Sequence, residues 1–395
     1  MRPMFLAAIL LLAVLERTSL FPVTPPDFRI FLGPWFGHIV QHGPIQAFAH
    51  PFSNYTPAYL YVLALGSLAH DLLPALTIIK LLSIAGTLFL ALGVANLLKA
   101  AGADPRPAAI VLVLPSVVVN DALLAQCDAL WAGCGIFGLA AMVRGRTLSA
   151  MLWCGLAVAF KAQAAFIAPV MVGAMIGRRA PWWQWPVPAL VFLATLLLPW
   201  SLGWPAGDLL TVYLGQFAQN QLAGLLSNPW IAATLFTQDG ASGLFWIGYV
   251  AALVGAGIIG ALAAAYARDS RVLILLAALA GTALPFLLPK MLERYYFLGD
   301  VMTLALVLTW RRPGAWIPFV AVQLASMAAH ASYMLAERPW PTLVGAGFAT
   351  VGLWVMLRMI APYAAKLMPK AAAFGAQRPV NVAGRFSRKA ATPSR

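Results

Sequence analysis

Two stretches of the sequence combine acidic and basic residues at spacings that could support chemistry on a phosphate-containing substrate. Asp27 follows the first apolar run, and Arg29 comes two residues later. A carboxylate at this position could act as a general base, and Arg29 could orient that carboxylate or a substrate. Further along the chain, Lys290 and Arg294 would share one face of a helix and could bind a phosphate together, with Glu293 holding the guanidinium in place.

Each of these residues also has a purely structural interpretation. Asp27 could be an ordinary solvated loop charge, and Arg29 could anchor the chain to lipid headgroups. Glu293 and Arg294 could form a local ion pair, followed by two Tyr at a membrane interface. The residues taken one by one leave these alternatives open.

A third group of polar residues lies in the middle of the chain. Gln126 and Asp128 occur in AQCDALW, and Lys161 and Gln163 occur in KAQAAF. Asp128 and Lys161 could belong to a substrate site, or they could simply pair with each other. The sequence has no P-loop, zinc-protease or serine-hydrolase motif, and its three Cys lack metal-ligand spacing. We therefore expect no metal site and no nucleotide-dependent cytoplasmic mechanism.

The composition indicates what kind of protein must position these residues. The chain has 395 residues, of which 62% are hydrophobic and 10% are charged, and its mean hydropathy is +0.83. One water-soluble core could not hide so many apolar residues, so we expect an all-α polytopic membrane protein. The net charge of +14 comes from basic pairs between apolar runs and from the carboxyl-terminal tail. This distribution fits membrane lipids with anionic headgroups and argues against nucleic acid as a partner.

The apolar runs predict about twelve transmembrane helices. The first is expected to be a retained helix with its amino terminus inside, because Glu16 and Arg17 stand where a signal peptide would have its cleavage site. The predicted spans are residues 4–21, 74–98, 107–119, 123–143, 148–160, 164–176, 186–202, 245–267, 272–288, 295–310, 315–336 and 343–360.

The basic residues predict the orientation. Every second connection is basic, and most of the 26 Lys and Arg residues fall on the side that the positive-inside rule assigns to the cytoplasm. This pattern requires that residues 56–70 do not cross the membrane, so we expect interfacial or re-entrant helices within a large first outer loop, 22–73. The chain then divides into a transmembrane domain, 1–362, with a second outer loop at 203–243, and a disordered basic cytoplasmic tail, 363–395.

Some predicted spans are too short to cross the bilayer in full. Residues 148–160 and 164–176 would each reach about 20 Å, against a hydrocarbon core of about 30 Å. Their shared outer turn, 161–163, should therefore lie below the membrane surface, and the same argument places Asn120 and Asp121 in a depression. We expect a water-accessible cavity that opens to the outside and is covered by the first outer loop.

Several blocks of the sequence together resemble a bacterial family of integral-membrane glycosyltransferases. The blocks, which run from Asp27 to about Val301, are DFRIFLGPWFGHIVQHG, FSNYTPAYLYVL, AQCDALW, KAQAAFIAPV, SNPW and ERYYFLGDV. In this order they resemble the family related to glycosylphosphatidylinositol mannosyltransferase II, near glycosyltransferase family 87, in the GT-C superfamily. One departure is Leu292, which precedes Glu293 where the family has His.

This resemblance implies a GT-C-like helical bundle and a reaction. Family members use a polyprenyl-phosphate sugar, usually mannose, as donor, and an acidic residue of the first outer loop as the catalytic group. By this resemblance Asp27 is the expected catalytic residue, and Arg294 with Lys290 is expected to bind the donor phosphate. Supporting or substrate-binding roles are expected for Arg29, Asn54, Tyr55, Gln126, Asp128, Lys161, Gln163 and Glu293.

We therefore expect an inverting glycosyltransferase of the inner (cytoplasmic) membrane, with its active site facing the periplasm. The donor would be the lipid-linked sugar, and the acceptor a glycan, a lipid or a protein. No cofactor is expected to be obligatory, because two basic side chains can neutralise a monophosphate.

The main alternative is a transporter or a flippase of lipid-linked sugars. Such a protein would also have about twelve spans and charges in a central cavity, but it would show paired repeats and a cavity that reaches both faces. The polar loops of this chain are instead concentrated on one side. A non-catalytic scaffold is a third interpretation.

Overall fold

The regular structure of the protein is helical. The computed structural model describes residues 3–217, 224–236, 242–335 and 338–367, and within these ranges no residue is in a β-strand. The α-helices are α1 (Pro3–Leu20), α2 (Gly33–His42), α3 (Pro57–Ser67), α4 (Ala75–Ala100), α5 (Pro115–Val118), α6 (Asp128–Val143), α7 (Thr147–Phe160), α8 (Ala168–Gly177), α9 (Val187–Leu202), α10 (Ala206–Phe217), α11 (Pro229–Phe236), α12 (Ser242–Ala265), α13 (Ser270–Leu287), α14 (Phe297–Trp310), α15 (Trp316–Met334) and α16 (Trp340–Ala365).

Short turns of other helical types connect several of these elements. Phe28–Leu32 and Val119–Leu123 are π-helical, and the 3₁₀ segments are Gln46–Ala49, Arg106–Val113, Ala162–Ile167, Trp182–Gln184 and Pro313–Ala315. Many of the helices, including α2, α3, α8 and α16, have Pro at their first or second position. The backbone N–H groups of the first turn have no partner within the helix, so a proline, which lacks this group, loses no hydrogen bond there.

The long apolar helices make this a polytopic membrane protein. In the described part of the chain, seven helices are long and apolar enough to cross a membrane: α1, α4, α9, α12, α13, α15 and α16. Arg106–Val113 and Pro115–Leu123 would form an eighth span, bent by 56° at the break. The other four predicted spans coincide with the shorter apolar helices α6, α7, α8 and α14. The count of twelve spans and the orientation stay predictions.

A buried lysine fixes the end of α1 and the chain that leads to Asp27. Lys80 of α4 is fully buried, and its Nζ donates to the carbonyl oxygens of Leu20, Phe21 and Val23 at 2.7, 3.0 and 2.7 Å. The last carbonyl groups of a helix have no partner within the helix, so a cation there stabilises its end. The ammonium thus sets where the chain leaves α1.

The segment after Asp27 folds as a cap of short helices. The ring of Trp35 in α2 lies 5.0 Å from that of Tyr55, just before α3. The ring of Phe48, in the 3₁₀ segment Gln46–Ala49, lies 5.0 Å from that of Tyr61 in α3. This arrangement lies within the predicted first outer loop. α3 has eleven residues and reaches about 16 Å, which is too short to cross a bilayer alone, as the prediction for residues 56–70 requires.

Two hydrogen bonds fasten this cap to the helical bundle. Thr56 Oγ1 donates to the Ala159 carbonyl at 2.6 Å, next to the end of α7. Tyr61 Oη donates to the Thr195 carbonyl of α9 at 2.6 Å. The cap therefore has a fixed position relative to the α7 end that carries Lys161.

The prediction that Asn120 and Asp121 lie in a solvated depression is wrong. Both are buried, with exposed fractions of 1% and 0%. Asp121 Oδ2 accepts from Arg17 Nη2 of α1 at 2.6 Å, and Arg17 Nη1 donates to the Leu112 carbonyl at 2.7 Å. The Arg17 guanidinium therefore compensates the buried charge of Asp121.

The predicted second outer loop is partly helical, since it contains α10 and α11. Residues 218–223 and 237–241 of this loop lie outside the described residues, as do residues 368–395 of the predicted tail. α16 continues to Ala365, past the predicted domain boundary at 362.

Candidate functional site

Asp128 is a buried carboxylate of the site, and both of its oxygen atoms accept hydrogen bonds from protein groups. Oδ1 accepts from Lys161 Nζ at 2.7 Å and from Trp131 Nε1 at 2.8 Å, and Oδ2 accepts from Asn120 Nδ2 at 2.8 Å. Asp128 and Lys161 have side-chain exposures of 3% and 5%. The pairing of these two residues, one of the alternatives left open by the sequence, is confirmed.

Lys161 reaches Asp128 because the chain breaks at the end of α7. Its backbone is extended, with φ −160° and ψ 143°, so the helix stops and the side chain turns inward. Its Nζ also lies 5.3 Å from the centre of the Tyr55 ring. Burial alone would lower the pKa of Lys161, but the Asp128 carboxylate outweighs it and holds that pKa above its ordinary value, so the lysine is charged.

The solvated turn predicted at 161–163 is not observed. Lys161 and Gln163 have exposed fractions of 4% and 8% and lie inside the protein. Their burial is possible because Lys161 is paired with a carboxylate. A water-accessible outer cavity therefore does not follow from these two residues.

Arg294 brings three carboxylates together. Its Nη1 donates to Glu293 Oε1 at 2.6 Å and lies 3.5 Å from Asp27 Oδ2, while its Nε lies 3.9 Å from Asp128 Oδ2. Burial would lower the pKa of Arg294, but the surrounding negative charge, of which Glu293 supplies the largest share, holds that pKa well above its ordinary value. The Glu293–Arg294 pair predicted from the sequence is thus present within a larger cluster.

Asp27 is the most accessible carboxylate of this cluster. Its side chain is 19% exposed, compared with 3% for Asp128 and 2% for Glu293. Its Oδ2 accepts from Gln126 Nε2 at 2.7 Å, and its Oδ1 accepts from Tyr333 Oη at 3.4 Å. The cluster therefore presents Asp27 toward the surface and keeps the other two acids inside.

Lys290 does not share a helical face with Arg294. The chain between α13 and α14 has bends and turns but no helix, and Lys290 has a left-handed backbone with φ 63°. Its Nζ lies 4.9 Å from the centre of the Phe245 ring on α12. The helical geometry predicted for the two cations is wrong, because Pro289 and the left-handed residue that follows it interrupt the helix.

The remaining predicted residues divide between the cluster and the surface. Tyr55 lies beside Lys161, and burial raises the pKa of its hydroxyl to about 12. Arg29 and Asn54 are exposed. The residue that approaches Asp27 with a guanidinium is Arg294 rather than Arg29.

The sequence analysis missed Tyr333, Asn120 and Trp131 as partners of the two aspartates. A signal for Tyr333 exists in the sequence, because Gln323, Ser326, His330 and Tyr333 are spaced three, four and three residues apart and so share one face of α15. Polar residues repeated on one face of an apolar helix indicate that this face lies inside the bundle.

The arrangement combines proton acceptors and hydrogen-bond donors in a site of low dielectric constant. With all groups ionised, Asp27, Asp128 and Glu293 contribute three negative charges, and Arg294 and Lys161 contribute two positive charges. The net formal charge of these five groups is then −1, and the most accessible carboxylate among them is Asp27. Within the described ranges, no group of three or more His, Cys, Asp or Glu residues could hold a metal ion.

The comparisons with known proteins add no family to this picture. The chain matches no protein-family model, and no curated protein is similar to it.

Proposed function

We propose that this protein is an inverting glycosyltransferase that moves a hexose, mannose in the first instance, from a polyprenyl-phosphate donor to an acceptor. The observation that carries the proposal is the position of Asp27, a partly exposed carboxylate held by Gln126 and Tyr333 and lying 3.5 Å from the Arg294 guanidinium. A base next to a cation is what transfer from a phosphate leaving group requires. The resemblance of the surrounding sequence blocks to GT-C enzymes supports the same reaction.

In the proposed reaction, Asp27 takes the proton of the acceptor hydroxyl as its oxygen attacks the anomeric carbon. The new glycosidic bond forms while the bond between that carbon and the phosphate oxygen breaks, and the electron pair leaves with the polyprenyl phosphate. A single displacement inverts the anomeric centre, so a β-linked donor gives an α-linked product. Asp27 passes its proton to solvent or to the departing phosphate.

The accessibility of Asp27 suits this proton transfer. Its side chain is 19% exposed, and Gln126 and Tyr333 hold the carboxylate by hydrogen bonds, so an acceptor hydroxyl could approach it. Asp128 and Glu293 are less able to act, because Asp128 already accepts three hydrogen bonds and both are almost fully buried.

Arg294 is the proposed contact for the donor phosphate. Its ion pairs with residues in the described ranges use Nη1 and Nε, so Nη2 could donate to an incoming phosphate. Lys290 is a second candidate cation. The exposed residues Ile30 and Phe31, which follow Asp27, offer an apolar surface for the prenyl chain.

The setting of the reaction is part of the proposal. A prenyl-linked donor is dissolved in the bilayer, so the enzyme must be integral to the membrane. In this proposal the Asp27 side faces the periplasm and both termini lie in the cytoplasm, as the basic residues that flank the spans predict. The acceptor would be a glycan, a lipid or a protein that reaches this outer face, and no metal is obligatory.

The variant Asp27→Asn tests this function. It keeps the size of the side chain but removes the base, so transfer of radiolabelled mannose from a polyprenyl-phosphate donor in proteoliposomes should fall about 100-fold or more. Binding of the donor should change little. Asp71→Asn is the matched control, since Asp71 also lies in the predicted first outer loop and its side chain is 86% exposed. Normal transfer by the folded Asp27→Asn protein would exclude Asp27 as the base.

A further inference from the structure

A basic groove of about 380 Å³ lies at the far end of α6 from Asp128. α6 has 16 residues, so about 24 Å separates the groove from the candidate site. Three of the residues that line the groove are cations, namely Lys99, Arg144 and Arg146, and none of its lining residues is acidic. None of these cations forms an ion pair with a residue in the described ranges.

The groove is held in shape by the short turn between α6 and α7. Arg144 Nη2 donates to the carbonyl oxygen of Asn96 at 2.9 Å and to its Oδ1 at 2.8 Å, which joins the end of α6 to α4. Gly145, with φ 79°, makes the left-handed step that lets the chain turn between the two arginines. Arg146 and Lys99 are exposed at the rim and available to a ligand.

The inner wall of the groove is aromatic, and its surroundings are apolar. Phe137 and Trp153 line it as a stacked pair, with ring centroids 5.0 Å apart. Leu88 and Leu92 of α4 and Leu152 of α7, on the helices that also carry Asn96 and Trp153 of the groove, are exposed by 50%, 64% and 46%. In a membrane such exposed side chains contact hydrocarbon, so the helices that line the groove also offer a surface for acyl chains.

We propose that this groove binds one anionic glycerophospholipid, with its phosphate between Lys99, Arg144 and Arg146 and its acyl chains along Phe137 and Trp153. Three cations with no acid among the lining residues favour an anionic headgroup by charge complementarity. A free phosphate would use the cations but not the aromatic and apolar surface. The groove lies outside the proposed catalytic cluster, so the two proposals stand independently.

The test compares phosphatidylglycerol binding by wild-type protein and by the double variant Lys99→Gln, Arg146→Gln. Full-length protein is purified in detergent and titrated with dioleoyl phosphatidylglycerol, and bound lipid is counted by native mass spectrometry. Each cation near a membrane surface is expected to contribute about 5-fold to the affinity, so the loss of two should weaken the tightest lipid site about 25-fold. Arg312→Gln, Arg358→Gln is the control, because it removes two exposed charges from the same predicted face and should leave that site unchanged.

Several outcomes would overturn the proposal. One is equal occupancy in wild-type protein and in the folded Lys99→Gln, Arg146→Gln variant. Another is equal loss in the control, which would show only a diffuse charge effect. Displacement by inorganic phosphate at equal concentration would indicate a phosphate site without lipid contacts. Stronger binding of farnesyl phosphate than of phosphatidylglycerol would indicate a prenyl lipid instead. Retained tight binding of dioleoyl phosphatidylcholine would show that charge is not recognised.

Discussion

The side-chain amide of Gln126 donates to Asp27 Oδ2 over 2.7 Å and so connects two segments that are 99 residues apart. The backbone N–H of Gln126 donates to the Asn120 carbonyl at 2.9 Å, and Ala125 just before it has a left-handed φ of 55°. A left-handed alanine costs about 1 kcal/mol or more, so the surrounding contacts must hold it. This strained turn aims the amide at the carboxylate.

We predict that Gln126→Leu lowers glycosyl transfer about 10-fold. The variant removes a hydrogen bond to a charged group, which fixes the orientation of Asp27, and such bonds contribute about 1.5–3 kcal/mol. Donor binding should be nearly unchanged, because the side-chain amide of Gln126 bonds to Asp27 and does not supply the cation proposed to bind the phosphate. The measurement is steady-state transfer together with donor titration. Gln41→Leu, at an exposed position of α2, is the control and should be fully active; equal activity of the two variants would contradict the positioning role.

A second prediction concerns the buried pair of Asp128 and Lys161. Removing either partner leaves a buried charge without compensation, so Asp128→Asn and Lys161→Met should each destabilise the protein by about 3–5 kcal/mol. The double variant should cost clearly less than the sum of the single variants, because no unpaired charge remains. Thermal or denaturant unfolding in detergent provides the measurement. If the loss of unfolding free energy in the double variant equals the sum of the losses in the two single variants, the two residues do not stabilise each other.

Much of the helical framework could be predicted from apolar periodicity and length. The first span was predicted at 4–21 and is observed as Pro3–Leu20, and the predicted non-spanning stretch at 56–70 contains the short helix Pro57–Ser67. These elements follow from local composition. In a membrane, an apolar run bounded by Pro and charged residues can pair its backbone N–H and C=O groups in few ways other than a helix. The 56° break near Leu114 was not predicted, although Pro115 is a signal for it, because the residue before a proline is biased toward the extended backbone that Leu114 has.

The site was predictable in its members but not in its geometry. The Asp128–Lys161 and Glu293–Arg294 pairs were recognised as alternatives, but their convergence on one guanidinium depends on contacts between segments far apart in sequence. The solvated depression was wrong because sequence gives the presence of a charge and not the position of its partner, such as Arg17 for Asp121. Tyr333 was missed for the same reason.

A third prediction is topological. If the basic connections are cytoplasmic, the residues just after α3 must lie on the outer side. A single Cys introduced at Asp71, which is highly exposed, in a background that replaces the three native Cys, should be labelled from the periplasm by a membrane-impermeant maleimide. A Cys at Arg312, also exposed, should be labelled only after the membrane is opened. Labelling of position 71 only from the cytoplasm would reverse the predicted orientation and remove the periplasmic placement of Asp27.

The last prediction concerns Arg294 and the donor phosphate. Arg294→Met alone would leave Glu293, whose side chain is 2% exposed, without its partner, so the informative variant is Glu293→Gln, Arg294→Met, which removes both charges. Loss of a charge-assisted contact should weaken binding of a polyprenyl-phosphate donor about 10-fold or more. Arg294→Lys should keep part of the affinity that the Met variant loses, because lysine retains the positive charge but lacks the planar guanidinium that can form two parallel hydrogen bonds.

Glu293→Gln alone is the matched control for this prediction. It removes the acid and retains the guanidinium, so donor affinity should stay within about 2-fold of wild type or increase, since one negative charge near the phosphate is gone. Isothermal titration of detergent-solubilised protein with donor measures each affinity, and a thermal unfolding scan verifies that each variant is folded. Unchanged donor affinity in the folded double variant would assign Arg294 to a purely structural role, in which it neutralises Asp27, Asp128 and Glu293, and would move the search for the phosphate contact to Lys290.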